Sequence, residues 1–193
     1  ASNMFTIAND VKIQVEFNPA HVAEYRLIGY ETRMLNREDF NNDRVDAGEI
    51  GSGHAVTAIY EIVPVGGRTF NDTLRYQNDR AAAGTASEIA FLRIRYKLPG
   101  QDTSRLIERP ITERDAVRDI AQASESTRWA AAVAGYGQLL RHDQFLRQGY
   151  GYDDVINLAQ GARGRDEFGW RAEFIQLARN AQSAAALPTA QNA

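Results

Sequence analysis

Apolar and polar residues alternate near the start of the chain. Val11, Ile13, Val15 and Phe17 are apolar, while Lys12, Gln14 and Glu16 between them are polar. A period of two predicts a half-buried strand. Asn18-Pro19 ends it, because proline has no N–H to give to a ladder. Residues 25–30 (Y-R-L-I-G-Y) predict a second short strand, rich in aromatic and branched side chains. Residues 55–63 predict a third, bounded by Pro64 and Gly66-Gly67. Residues 88–97 predict a fourth, with Ala90, Leu92, Ile94 and Tyr96 on one face and Arg93, Arg95 and Lys97 on the other. Such a sheet has one dry and one wet side, as antiparallel sheets commonly do. After the turn at Pro99-Gly100-Gln101-Asp102, residues 104–110 return as a fifth, edge strand. Residues 36–46 form a polar connection, and residues 67–87 read as a long mobile loop.

The period changes after Ile111. Thr112-Glu113-Arg114-Asp115 has the form of a helix start, with Thr112 as N-cap and acids in the first turn. The run Ser124-Glu125-Ser126-Thr127 breaks or restarts that helix. Trp129, Val133, Tyr136 and Leu140 recur at helical spacing, predicting helix to about Arg147. Ala130, Ala131, Ala132 and Gly135 permit close approach of another element. Asp153 or Asp154 caps a short helix that buries Val155, Ile156, Leu158 and Ala159 and ends near Gly161. Asp166 starts a last helix with Trp170, Phe174, Leu177 and Ala178 on one stripe. Strands first and helices second predict an α+β fold with segregated layers. The expected form is an antiparallel sheet or sandwich of about five strands (residues 5–111), with a layer of three to four helices packed on it (residues 112–183). Residues 184–193 form a frayed tail.

Composition narrows the possibilities. With 193 residues, 44% of them hydrophobic, the chain can build a core in one domain or two small ones. Its net charge is −3, with both signs interspersed, so no basic patch favours nucleic acid. No apolar run is long enough to cross a bilayer. Cysteine is absent, which excludes disulfides, cysteine-ligated zinc, iron–sulfur clusters and thiol catalysis. Ala1-Ser2-Asn3 reads as an expression-vector remnant, so the expectation is a domain excised from a longer protein.

Long phrases of the chain are familiar in order. D-V-K-I-Q-V-E-F-N-P (residues 10–19), Y-R-L-I-G-Y-E-T-R (25–33), E-D-F-N-N-D (38–43) and D-A-G-E-I-G-S-G-H-A-V-T-A-I-Y-E-I (46–62) come first. L-R-I-R-Y-K (92–97), A-A-A-V-A-G-Y-G-Q-L-L-R (130–141), Y-D-D-V-I-N-L-A (152–159) and W-R-A-E-F-I-Q-L-A (170–178) follow. Together they resemble the C-terminal region of bacterial YfbK-type proteins, which carry a von Willebrand factor type A (VWA) domain. The resemblance implies a domain of unknown function that follows the VWA domain, in a periplasmic or lipoprotein-anchored protein of the cell envelope. It implies a non-enzymatic role in binding or assembly, with the VWA domain and another envelope protein as partners. It carries over no catalytic residue and no cofactor. The VWA metal motif D-x-S-x-S is itself missing: Asp102 and Ser104 are followed by Leu106 where the second serine would stand.

The candidate chemistry is sparse. Gly48, Gly51 and Gly53 lack the lysine, the spacing and the following helix of a phosphate loop. They read as a turn or bulge that needs positive φ. The acidic loop at residues 39–49 offers Asp39, Asn41, Asp43, Asp46 and Glu49 as oxygen ligands for calcium. As an EF-hand it fails at Arg44, where glycine belongs, and at Ile50, where glutamate belongs. A solvated loop of Asx turns is the plainer account. His54 with Glu49 and Glu61 suggests a general base or a zinc ligand, but His21 and His142 are remote in sequence and no metal-spaced histidine pair occurs. No serine elbow is present. Arg93, Arg95 and Lys97 form either an anion strip or a solvated sheet face. Trp129, Tyr136, Tyr150, Tyr152, Phe168 and Trp170 either line a groove or pack the helices. The expected function is a non-catalytic interaction module without cofactor. The alternative is a calcium- or saccharide-binding domain built on the 39–49 loop.

Overall fold

The computed structural model describes residues 5–29, 48–67 and 87–187. The chain divides into two compact units, Ala1–Ala116 and Val117–Ala193. Each is described by itself.

The first unit is antiparallel β. Its strands are β1 (Thr6–Phe17), β2 (Val22–Leu27), β3 (Ile50–Gly51), β4 (Tyr60–Pro64), β5 (Glu88–Lys97) and β6 (Ser104–Thr112). Four of them form a sheet in the order β3-β1-β5-β6, and β2 pairs with β4 in a second sheet. β1 begins earlier than the alternation at residue 11 predicts, because a bulge lets its first half continue and pair with β3. Two residues, Asp10 and Val11, stand opposite Tyr96 there, and Asp10 takes a left-handed φ of 52°.

The strand expected at 55–63 is shorter. Residues 54–59 are irregular, and the ladder starts at Tyr60, opposite Leu27. Branched residues extend only where a neighbour accepts their backbone bonds. Asn18 closes the connection from β1 to β2. Its N–H donates to the Ile89 carbonyl at 2.9 Å, and its side-chain amide donates to the Glu88 carbonyl at 2.7 Å. The two sheets meet at Phe17, whose ring lies 4.4 Å from Tyr25 and 5.3 Å from Tyr60. The long loop expected at 67–87 lies, apart from its two ends, outside the described residues.

The helix expected from Thr112 is a single 3-10 turn, Glu113–Asp115. The Asp115 carboxylate accepts the Thr112 N–H at 2.9 Å and Arg109 at 2.5 Å. The chain then leaves in extended conformation at Ala116.

The second unit is helical: α1 (Glu125–Leu140), α2 (Tyr152–Gly161) and α3 (Trp170–Ala185). Ser124 caps α1 by accepting the Thr127 N–H at 3.2 Å. α1 stops at Leu140 and not near Arg147, because His142 turns left-handed at φ 52° and Asp143 N–H reaches back to the Gln138 carbonyl. Gly151 is the N-cap of α2, and Asp154 accepts its N–H at 2.8 Å. Asp153 instead accepts Gln182 of α3 at 2.7 Å. Asp166 holds the start of α3 from outside the helix, accepting the N–H groups of Arg171 at 3.0 Å and Ala172 at 2.9 Å.

α2 packs on both α1 and α3. The core holds Ala132, Val155, Ile156, Ala159, Ile175 and Ala178, with Trp129, Tyr136, Tyr152 and Phe174 packed around it. The buried stripes are displaced from the expected ones. Val133, Leu140, Trp170 and Leu177 are exposed, while Ala132, Gly135 and Ile175 are buried. Gly135 leaves room for the ring of Tyr150, which precedes α2. A Cβ placed on Gly135 would fall 3.0 Å from Tyr150 Cζ and 3.1 Å from its Cε1, too close for the ring to remain in place. Arg171 closes the unit. Its guanidinium donates to Glu125 at 2.8 Å and to the Ala162 carbonyl at 2.7 Å, and it lies 4.8 Å from the centre of the Trp129 ring.

Gly135→Val is expected to destabilise the helical unit by about 1–3 kcal/mol through overpacking, read as a lower melting temperature. The pH dependence of the same unit follows from Asp166. The Arg171 N–H, then that of Ala172, holds its carboxyl below the usual carboxylate range. A depressed folded pKa contributes stability above the unfolded value of about 3.9 that is lost as pH falls through the folded one. Asp166→Asn should therefore flatten the decline of stability on acidification below about pH 5, measured by denaturant unfolding across that range.

Candidate functional site

Directly opposed residues of adjacent antiparallel strands share a face. The register of β1, β5 and β6 therefore sorts their side chains. Lys12, Arg95 and Leu106 form one row, and Gln14, Arg93 and Glu108 the next, on the charged face. Ile13, Ile94 and Ile107 form a row on the opposite face, followed by Val15, Leu92 and Arg109.

The candidate anion strip lies on the charged face, and its cations are engaged by the sheet itself. Arg93 meets Glu16 and Glu108, each at 3.2 Å, and its guanidinium carbon lies 5.0 Å from the Phe91 ring centre. Arg95 donates to Ser104 Oγ at 2.8 Å. Lys97 pairs with Asp10 at 3.1 Å. An incoming anion would compete with these carboxylates for the same donors.

Sequence reading did not find the most unusual group here. Lys12 is fully buried, its Nζ 3.5 Å from Asp10. A buried ammonium is tolerated only with a compensating partner. The bulge at Asp10 and Val11 makes this possible by aiming Asp10 at both Lys12 and Lys97. The sequence shows Lys12 as one polar position in an alternating strand, and a bulge has no period to announce it.

The other candidates are scattered. Asp39, Asn41, Asp43 and Asp46 lie outside the described residues, and Glu49 is exposed. Gly48 and Gly53 have positive φ, 132° and 78°, and the His54 N–H closes a turn onto the Gly51 carbonyl at 3.1 Å. His54 itself is exposed. Glu61 is bound to Arg26, whose Nε and Nη2 each approach its Oε2 to 2.6 Å. Among the described residues no three acids or histidines are grouped to hold a metal ion.

Tyr136 and Tyr152 pack edge-on in the helical core at 6.2 Å. Burial, then the nearby Asp154 carboxylate, pushes the Tyr150 hydroxyl pKa up against a smaller opposing effect of Arg147. Phe168 and Trp170 stack on each other at 5.2 Å and are exposed.

Comparison with known proteins adds the lineage. The family model described as "Uncharacterized protein YfbK, C-terminal" matches residues 2–184. The chain belongs to the YfbK C-terminal family. It is 45% identical over 176 residues to "Uncharacterized protein YfbK" of Escherichia coli (strain K12). That match covers 90% of this chain and 30% of the relative. No solved structure gives a significant match. The YfbK family match runs across both units, so the β unit and the helical unit belong to one family definition.

Asp10→Asn tests the buried group. Asparagine keeps the shape and tolerates the left-handed backbone, and it removes the charge and one acceptor oxygen. The expected loss is about 3 kcal/mol, because Lys12 stays buried with the Asp10 carboxylate gone. Urea unfolding of the two proteins measures it.

Proposed function

We propose that this chain is a non-catalytic accessory module of a bacterial cell-envelope protein. It acts beside a VWA domain, supporting that domain or binding a further envelope protein. The observation that carries the reading is the extent of the match. A region with its own family model corresponds to 30% of a longer relative, which is the signature of one module among others. The use of its charges supports the same reading. Arg26 and Glu61, Arg93 with Glu16 and Glu108, and Lys97 with Asp10 are ion pairs that join strands. Residues held in this way stabilise a scaffold and are poorly placed to transfer protons.

Affinity capture from envelope extracts tests the proposal. Full-length protein should retain partners that are lost when residues 5–187 are deleted. Identical partners in both samples would overturn the interaction role.

A further inference from the structure

Among the described residues, the β unit buries few apolar side chains. They are Val22, Val63 and Ala90, whereas the helical unit buries Ala132, Val155, Ile156, Ala159, Ala162, Ile175 and Ala178. The deficit lies on the apolar face of the large sheet. Ile13, Ile94 and Ile107 stand in one row across three strands, yet Ile13 is 40% exposed and Ile107 49%. Single exposed hydrophobics are ordinary, but a continuous aliphatic row across a sheet face is not.

The second sheet does not close this face. Among the described residues it has two strands, and it meets the large sheet through Phe17, four residue pairs along β1 from the isoleucine row. Its own Tyr25 and Ile62, opposed in the ladder, are 56% and 38% exposed. A two-stranded sheet is marginal alone and needs further cover. On the opposite face Arg93 and Lys97 are paired with acids.

We infer that the isoleucine row is a docking surface for another segment of the same longer polypeptide. That segment presents aliphatic or aromatic side chains and covers the row. The length of chain available favours this occupant: most of the E. coli relative lies outside the 30% matched here. The row itself is aliphatic and selects an apolar surface held close by, while Arg105 and Arg109 flank Ile107 on the same face of β6 and give that surface a charged margin. This inference deepens the accessory-module reading and does not require the neighbouring segment to be a VWA domain.

Photo-cross-linking in the full-length protein tests it. A photoreactive phenylalanine analogue replaces Ile13 or Ile107, and the products are mapped by mass spectrometry. Cross-links from both positions should enter peptides of the same polypeptide outside residues 1–193. The position-13 cross-link should be lost when Ile107→Glu is added. In the isolated chain Ile107→Glu should leave the circular dichroism and melting temperature unchanged, showing that the loss is not unfolding. Cross-links confined to residues 1–193, cross-links joining two copies, or no cross-link would each overturn the inference. A cross-link to a different protein would also overturn it, while leaving the accessory-module reading in place.

Discussion

The pairing of β5 with β1 on one side and β6 on the other governs the β unit. Because side chains alternate along a strand, this register decides which residues share a face. It places Arg93 where Gln14, Glu16 and Glu108 reach it. It also places Ile94 between Ile13 and Ile107. A shift of one residue would bring charged side chains onto the aliphatic row. The bulge at Asp10 and Val11 reinforces the register, since its carboxylate links Lys12 on β1 to Lys97 on β5. The ion pairs thus serve alignment as much as energy, and exposed pairs of this kind contribute little stability individually.

The helical unit follows a different constraint. Half of its buried core residues are alanines. Small residues allow close approach, and the aromatic rings of Trp129, Tyr136, Tyr152 and Phe174 fill the space around them. Where the core is this thin, caps and end contacts matter more. Ser124, Asp154 and Asp166 satisfy helix N–H groups, and Arg171 ties the first turns of α1 and α3 to the end of α2. The two units thus differ in completeness. The helical unit surrounds its core, and the β unit leaves a row of isoleucines in view.

Much of the fold is legible in the chain. The strand at 88–97 could be read to the residue from its alternation and its flanking turn. The helix from Tyr152 to Gly161 follows from its acids and its apolar positions. Other features could not be read, for identifiable reasons. The six residues before Tyr60 carry strand-like side chains but lack a ladder partner among the described residues. Thr112 and Asp115 make a sound cap, but no partner face propagates the helix beyond one turn. Helical spacing defines a stripe only to within a residue, so large side chains were preferred over the alanines that make the contact. Of the candidate site, the glycine turn and the charged strip were visible as residue types, while the partners of each charge were not.

By itself the sequence determined the α+β class, the order of strands before helices, the absence of cysteine chemistry and the family. These depend on local period, composition and wording, which any single stretch carries. Only the tertiary structure decided that Lys12 is buried against Asp10, that Arg93 is paired with Glu16 and Glu108 and Lys97 with Asp10, and that the isoleucine row stays half open. Each of these depends on which distant strand lies opposite, and at what register. That choice is made by the summed packing of the whole sheet, and no local period contains it.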